Sequence, residues 1–405
     1  MTKMTRRTFL STTASAGLIS SLPQVAIANT NILNNINHTL VCIFLRGGAD
    51  GLHMVAPYGD RYYANKRGNL ALNPPSQSND SLIDLDGFFG LNPLLTPLDS
   101  IFQTNDLAIV HATGLNNDSH SHFDAQALME AGVTQKNKIN TGWLGRYLNS
   151  NQSQNSSVFK GVSKSSRLQT ALKGESQVSV LNDTDNYGIK LSGKNKNRFE
   201  TTFASLYSSS SWLGLQGQLA LDSIKQLNTS NLNQYSIENN AIYPQSSFGK
   251  DMMQIAQLIK SEIPMEAACV DINGWDMHTN LSSRMKIALP DLAKGLAAFY
   301  QDLGEKMQKV TVVVMTEFGR RIQPNGSGGL DHGHGSALFV LGKNINGGRV
   351  YGDWPGLDQL YGPGDLAIST DYRTVLSEIL VKRMGNAALE TVFPKFSIPD
   401  FLGIC

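Results

Sequence analysis

The sequence predicts an α/β fold of three layers, α/β/α, built on a mainly parallel central sheet. Three observations carry this. Apolar runs of strand length recur without polar interruption, as in strands buried on both faces. Segments with helical apolar spacing separate them. Polar, glycine-rich turns follow the runs, at the edge where open α/β sheets place their ligands.

The chain opens with Arg6-Arg7 ahead of Phe9-Leu10, then a small-residue apolar stretch from about Thr12 to Leu22, then Ala26-Ile27-Ala28. A positive head, a short apolar middle and a small-x-small end form, in that order, an export signal, and paired arginines mark its twin-arginine form. An amphipathic first helix would need a charged face between Ser11 and Pro23, and none is there. Residues 1–28 are expected to engage the twin-arginine translocase. The mature protein would then reach the periplasm already folded, with any metal loaded beforehand.

Thr39 to Leu45 is the first continuous apolar run, and it ends in Arg46-Gly47-Gly48-Ala49-Asp50-Gly51. Leu107 to His111 repeats the pattern. A polar loop then reaches Ser121, and Phe123 to Glu130 has helical spacing. Ala267 to Ile272 is a third strand, ending at Gly274-Trp275-Asp276-Met277-His278. Leu281 to Met307 is helical in period, with Leu289, Leu292, Leu296 and Phe299 on one stripe. Val310 to Met315 runs into Thr316-Glu317-Phe318-Gly319-Arg320, Ala337 to Leu341 is a fifth strand, and Arg373 to Met384 is a late helix. Ser and Asn dominate from Asn149 to Lys250, where apolar periodicity is weak. The expected organisation is a core of residues 38–148 and 251–405, interrupted by a cap-forming insertion, 149–250, outside the sheet.

Composition narrows the function. Hydrophobic residues at 41% permit a large core, and a formal charge of +1 gives no basic stripe for nucleic acid. No later apolar run approaches the roughly 18 residues of a membrane helix. Cys42, Cys269 and Cys405 are scattered, with neither metal spacing nor a disulfide framework.

Five of the eight histidines lie in three short polar loops that also hold carboxylates: His120 and His122, His278 beside Asp276, and His332 and His334 after Asp331. That mixture suits Zn²⁺, or Mn²⁺ where oxygen ligands dominate. Each residue has a plainer reading. Asp276 could cap a helix, and His278 could be a surface residue. The His332–His334 loop could be solvated, and Asp50 could form a turn. Ser121 with Asp124 reads as a capping box, yet a serine at a helix start also faces the end that stabilises an alkoxide. Glu317 closes the most buried strand, where an unpaired carboxylate is costly. It needs a metal, or Arg320 or Arg321.

The blocks LRGGADGLHMV, SHSHFDAQALMEAG, TGWLGRYL, INGWDMHTN, MTEFGRR with NGSGGLDHGHG, and TDYRTVLSEIL resemble the successive signatures of the bacterial family catalogued as domain of unknown function 1501. That family is grouped by fold with the alkaline phosphatases and sulfatases. The resemblance implies a periplasmic metal-dependent hydrolase of phosphate or sulfate esters. Ser121 would be the nucleophile, Asp50, Asp276, His278, Glu317, His332 and His334 would hold metal, and Arg46 or Arg320 would clamp the anionic ester. It implies one or two divalent ions, zinc foremost, with manganese or calcium also compatible. Phe318 departs from the pattern, which has a histidine after the acid. The second implied reading is therefore a catalytically silent, metal-stabilised binding or assembly protein with a partner in the cell envelope.

Overall fold

The computed structural model describes residues 38–405 apart from 137–138, 152–154, 156, 176, 185–186, 189–190, 192, 231 and 233–234. The expected signal segment, 1–28, lies outside the described residues.

Nine strands form one sheet: β1 (Thr39–Arg46), β2 (Leu107–Gly114), β3 (Gly161–Lys164), β4 (Val178–Val180), β5 (Ala267–Asn273), β6 (Val310–Met315), β7 (Ser336–Leu341), β8 (Arg349–Tyr351) and β9 (Thr370–Asp371). Their order is β8-β2-β7-β6-β1-β5-β3-β4, with β9 also on β2. The pairings are parallel except those of β7, which runs antiparallel to both β2 and β6. The mainly parallel sheet and its five central apolar runs are as the sequence predicts.

Alternation along β1 shows why the runs are continuous. Leu40, Cys42 and Phe44 enter one core, and Val41, Ile43 and Leu45 enter the other. The first core packs under α1 (His122–Ala131), α2 (Trp143–Ser150) and α7 (Tyr372–Lys382). The second packs under α5 (Ser247–Lys260) and α6 (Leu281–Leu303), whose stripe Leu289, Leu292, Leu296 and Phe299 is buried. Helices α3 (Gly193–Leu206) and α4 (Trp212–Thr229) come from the Ser/Asn-rich stretch.

That stretch does not lie wholly outside the sheet. Its residues supply β3 and β4, which extend the β5 edge. Both strands are too short to show a period, and Phe159, Val162 and Leu181 provide the apolar cover around them.

β7 decides the site's position. A strand antiparallel to β6 begins where β6 ends, so residues 316–335 form a single connection at the carboxyl edge of β1, β5 and β6. The turns carrying Arg46–Asp50, Asp276–His278, Glu317 and His332 therefore share one edge.

Buried histidines make this fold acid-sensitive. His111, on β2, donates from Nε2 to the Val55 carbonyl (2.9 Å) and accepts at Nδ1 from the Ala112 N–H (2.8 Å). Burial lowers its pKa to about 4. An unfolded chain would bind this proton near pH 6.5. Stability is thus complete above that value and is lost as pH falls toward 4, by about 3 kcal/mol for this ring. Urea titrations between pH 7 and 4 should show the loss, and His111→Gln, which cannot titrate, should flatten it. An equal slope in the variant would rule His111 out as a cause.

Candidate metal centre

The turns meet around one oxygen, Asp276 Oδ1. His278 Nε2 lies 3.0 Å from it, His122 Nε2 3.3 Å and His332 Nε2 3.5 Å. His278 Nε2 and His332 Nε2 are 2.8 Å apart. Ligands about 2.0–2.1 Å from a tetrahedral zinc ion sit about 3.3 Å from one another. The three separations from Asp276 Oδ1 are close to that edge length, while the 2.8 Å between His278 Nε2 and His332 Nε2 is a hydrogen-bond distance. Among the described residues, His122, Asp276 and His332 form a set able to hold a metal.

Each ring is fixed by its other nitrogen. His122 Nδ1 donates to Glu317 Oε1 (2.7 Å) and His332 Nδ1 donates to the His120 carbonyl (2.6 Å). His278 Nδ1 faces Asp331 Oδ1 at 3.4 Å. A carbonyl or carboxylate oxygen there accepts only, so it keeps the proton on Nδ1 and leaves a lone pair on Nε2. Three Nε2 atoms then face a carboxylate oxygen that also accepts from the Arg320 Nη2–H (2.7 Å), a donor set that a divalent ion would draw together. His122 Nε2 is buried and has no hydrogen-bond partner. A buried nitrogen in that state calls for an ion or a water.

Charge at the centre is set by neighbours. Burial would raise the Asp276 carboxyl, but the Arg320 Nη2–H, 2.7 Å from Oδ1, outweighs it and holds the pKa at about 2. The Glu317 hydrogen bond raises the pKa of His122, while burial lowers that of His332.

Support comes from three places. Glu317, at the end of β6, is buried and accepts from His122, from Gln126 Nε2 (2.7 Å) and from the Gly47 N–H (2.9 Å). Those bonds outweigh burial and lower its pKa. Gly47 has φ +120°, and a Cβ there would lie 2.4 Å from the Asp276 nitrogen, so only glycine lets β1's turn approach this closely. Phe318 is buried and stacks on His122, ring centroids 4.8 Å apart, with His332 5.0 Å away. It is an apolar floor under the two imidazoles.

Residues 107–369 match the family described as "Protein of unknown function (DUF1501)". The chain belongs to this family. No curated protein matches it. Similar solved structures include the C-terminal periplasmic domain of EcEptC from Escherichia coli in complex with Zn, 9% identical over 76% of this chain and 72% of that one, TM-score 0.35. Others are an alkaline phosphatase superfamily protein from Vibrio parahaemolyticus (12%, 78% and 62%, TM-score 0.35) and the PsFucS1 sulfatase from Pseudoalteromonas sp. (11%, 78% and 64%, TM-score 0.34). The chain spans less than two thirds of the length of the latter two. At these TM-scores the likeness transfers no residue role.

In this DUF1501 chain, Asp276, His278 and His332 come together as the sequence suggests, and other candidates do not. Asp50 pairs through Oδ2 with Arg67 Nη2 (2.5 Å) in a fully buried ion pair, and its Oδ1 has no hydrogen-bond partner. His334 is buried and stacks on Tyr361, centroids 4.6 Å apart, so it does not join His332 at Asp276. Glu317 stands behind His122 rather than at the centre, and neither Arg320 nor Arg321 is its partner.

Neither proposed clamp is free for an anion. Arg46 is held by Glu130 (3.0 Å) and Asp271 (2.8 Å). Arg320 is buried and donates to Asp276, to the Gly48 carbonyl (2.7 Å), to the Leu330 carbonyl (2.9 Å) and to the Gly47 carbonyl. Ser121 is exposed at the start of α1, and its Oγ accepts from the Asp124 N–H at 3.5 Å.

His122 was not singled out by the sequence reading as a ligand. A signal existed: His122, Gln126 and Glu130 fall at i, i+4 and i+8 of one helix, a polar stripe on a face that packs on the sheet. All three meet partners from the sheet edge: buried Glu317 for the first two and half-buried Arg46 for the third.

Proposed function

We propose that the mature chain is an exported, periplasmic, metal-dependent hydrolase of phosphate or sulfate esters. The observation that carries the reading is the convergence of three Nε2 atoms on Asp276 Oδ1. His122, His278, His332 and Asp276 would hold one divalent ion. A ligand set of three nitrogens and one oxygen favours zinc over magnesium or calcium. When bound, the ion supplies a Lewis acid that draws charge from an ester oxygen. Glu317, Asp331 and the His120 carbonyl keep the three rings in the ligating tautomer.

Ser121, next to His122 at the start of α1, is the proposed nucleophile. Its capping bond is long, and rotation of the side chain would free the oxygen. Arg321, paired only loosely, with Nη1 3.9 Å from Asp331 and Nε 3.8 Å from Asp365, is the guanidinium proposed to meet the anion. The paired Arg6-Arg7 supports twin-arginine export of the folded, loaded protein.

The second reading, a metal-stabilised binding protein without catalysis, is favoured by Phe318, an apolar ring where a further imidazole would extend the site. A set of chromogenic phosphate, phosphodiester and sulfate esters separates the two. Turnover of at least one ester should vanish with chelator, return with zinc and fall in Ser121→Ala. A zinc-loaded protein that turns over none of them would be the binding protein.

A further inference from the structure

The hairpin of α3 and α4 stands apart from the metal site and presents an unusual surface. None of the described residues of α3 is buried. Its own packing is local: Phe199, Phe203 and Tyr207 stack in series, centroids 5.8 and 4.4 Å apart, and Gln218 Nε2 donates to the Tyr207 carbonyl (2.9 Å). Around the turn, Leu206 is 74% exposed, Leu213 58% and Leu215 50%. Helices of this kind gain most of their stability by burying an apolar face. α4 buries such a face through Leu221 and Leu227, but α3 buries none, and the leucines at the turn between them are left in solvent.

Charge is distributed with equal bias. From Thr201 to Leu221 there is no charged side chain, although roughly a quarter of a soluble surface is ordinarily charged. Lys194, Lys196 and Arg198 lie just before it, offset only by Glu200. The hairpin thus has an apolar, uncharged tip and a basic shoulder.

We propose that this hairpin docks on an anionic lipid surface, with Leu206, Leu213 and Leu215 entering the headgroup–acyl boundary and Lys194, Lys196 and Arg198 meeting lipid phosphates. That division of labour is the one expected of an interfacial amphipathic element. A second copy of the chain fits less well. A two-fold contact would set like patches together and crowd the basic shoulders, whereas a phosphate surface neutralises them. Docking is along the surface: among the described residues no helix is long and apolar enough to cross a membrane.

Flotation of the mature chain with vesicles tests this. Vesicles of equal parts phosphatidylglycerol and phosphatidylcholine should bind it at least about tenfold better than phosphatidylcholine alone. The triple variant L206S/L213S/L215S should lose about tenfold of that binding. K194E/K196E/R198E should lose the preference for anionic vesicles. Each variant replaces surface side chains, and its circular dichroism should match the parent. Equal binding to both vesicles, or a triple variant that binds like the parent, would overturn the proposal. So would sedimentation showing a parent dimer that the triple variant abolishes, since the hairpin would then be a contact between copies.

Discussion

His122→Ala is expected to weaken zinc binding by about a hundredfold or more, the scale on which ligands and their orienting partners act. The substitution removes one of three Nε2 lone pairs at Asp276 Oδ1 and the ring that covers Phe318. Glu317 keeps the Gln126 and Gly47 donors, so its carboxylate stays paired and the fold should persist. Competition titration with a chromogenic chelator measures the change. His278→Ala should act in the same direction. His334→Ala is the control: that ring stacks on Tyr361, and its loss should leave zinc affinity as it was. Equal affinities for the parent and His122→Ala would remove His122 from the site.

Arg320→Leu should have the largest effect on stability. The guanidinium is buried and ties the β1 turn to the 316–335 connection through carbonyls of Gly47, Gly48 and Leu330, and through Asp276. Leucine would leave those carbonyls without donors and Asp276 without its cation. Each buried carbonyl left without a donor costs about 1–3 kcal/mol, while Asp276, whose side chain is 48% exposed, is met by water and adds little. Most domains are stable by only about 5–15 kcal/mol. Urea unfolding at neutral pH should therefore show a large fall in midpoint. Lysine restores the charge but offers three donors on one atom, so Arg320→Lys should recover only part of the loss. A loss under about 1 kcal/mol would mean that these bonds are replaced by water.

The central strands were legible because burial on both faces leaves a long, continuous apolar signature, as in Val310–Met315. The edge strands were not. Gly161–Lys164 and Val178–Val180 are too short for a period to appear, and their polar setting resembles a loop. The direction of β7 was also hidden, since an apolar run reads the same whichever way it lies, yet that direction is what brings His332 back to Asp276.

At the site, Asp276, His278 and His332, which sequence spacing suggested, lie together because their turns follow or precede central strands. Sequence spacing misassigned Asp50, because nothing local announced Arg67 as its partner. Arg46 and Arg320 were misread for the same reason: a guanidinium beside a polar turn looks available until its acceptors, distant in sequence, are seen. His122 was counted among the clustered histidines but given no ligand role, and the inward polar stripe it shares with Gln126 and Glu130 is what marks it.

The central claim is that the three imidazoles and Asp276 are a metal site, and metal content tests it most directly. Protein purified from its native host without added metal, then dialysed and analysed by inductively coupled plasma mass spectrometry, should carry about one divalent ion per chain. Chelator should remove the ion and lower the melting temperature, because ion binding favours the folded state. Protein that carries no stoichiometric metal, and whose melting temperature chelator does not change, would contradict the account.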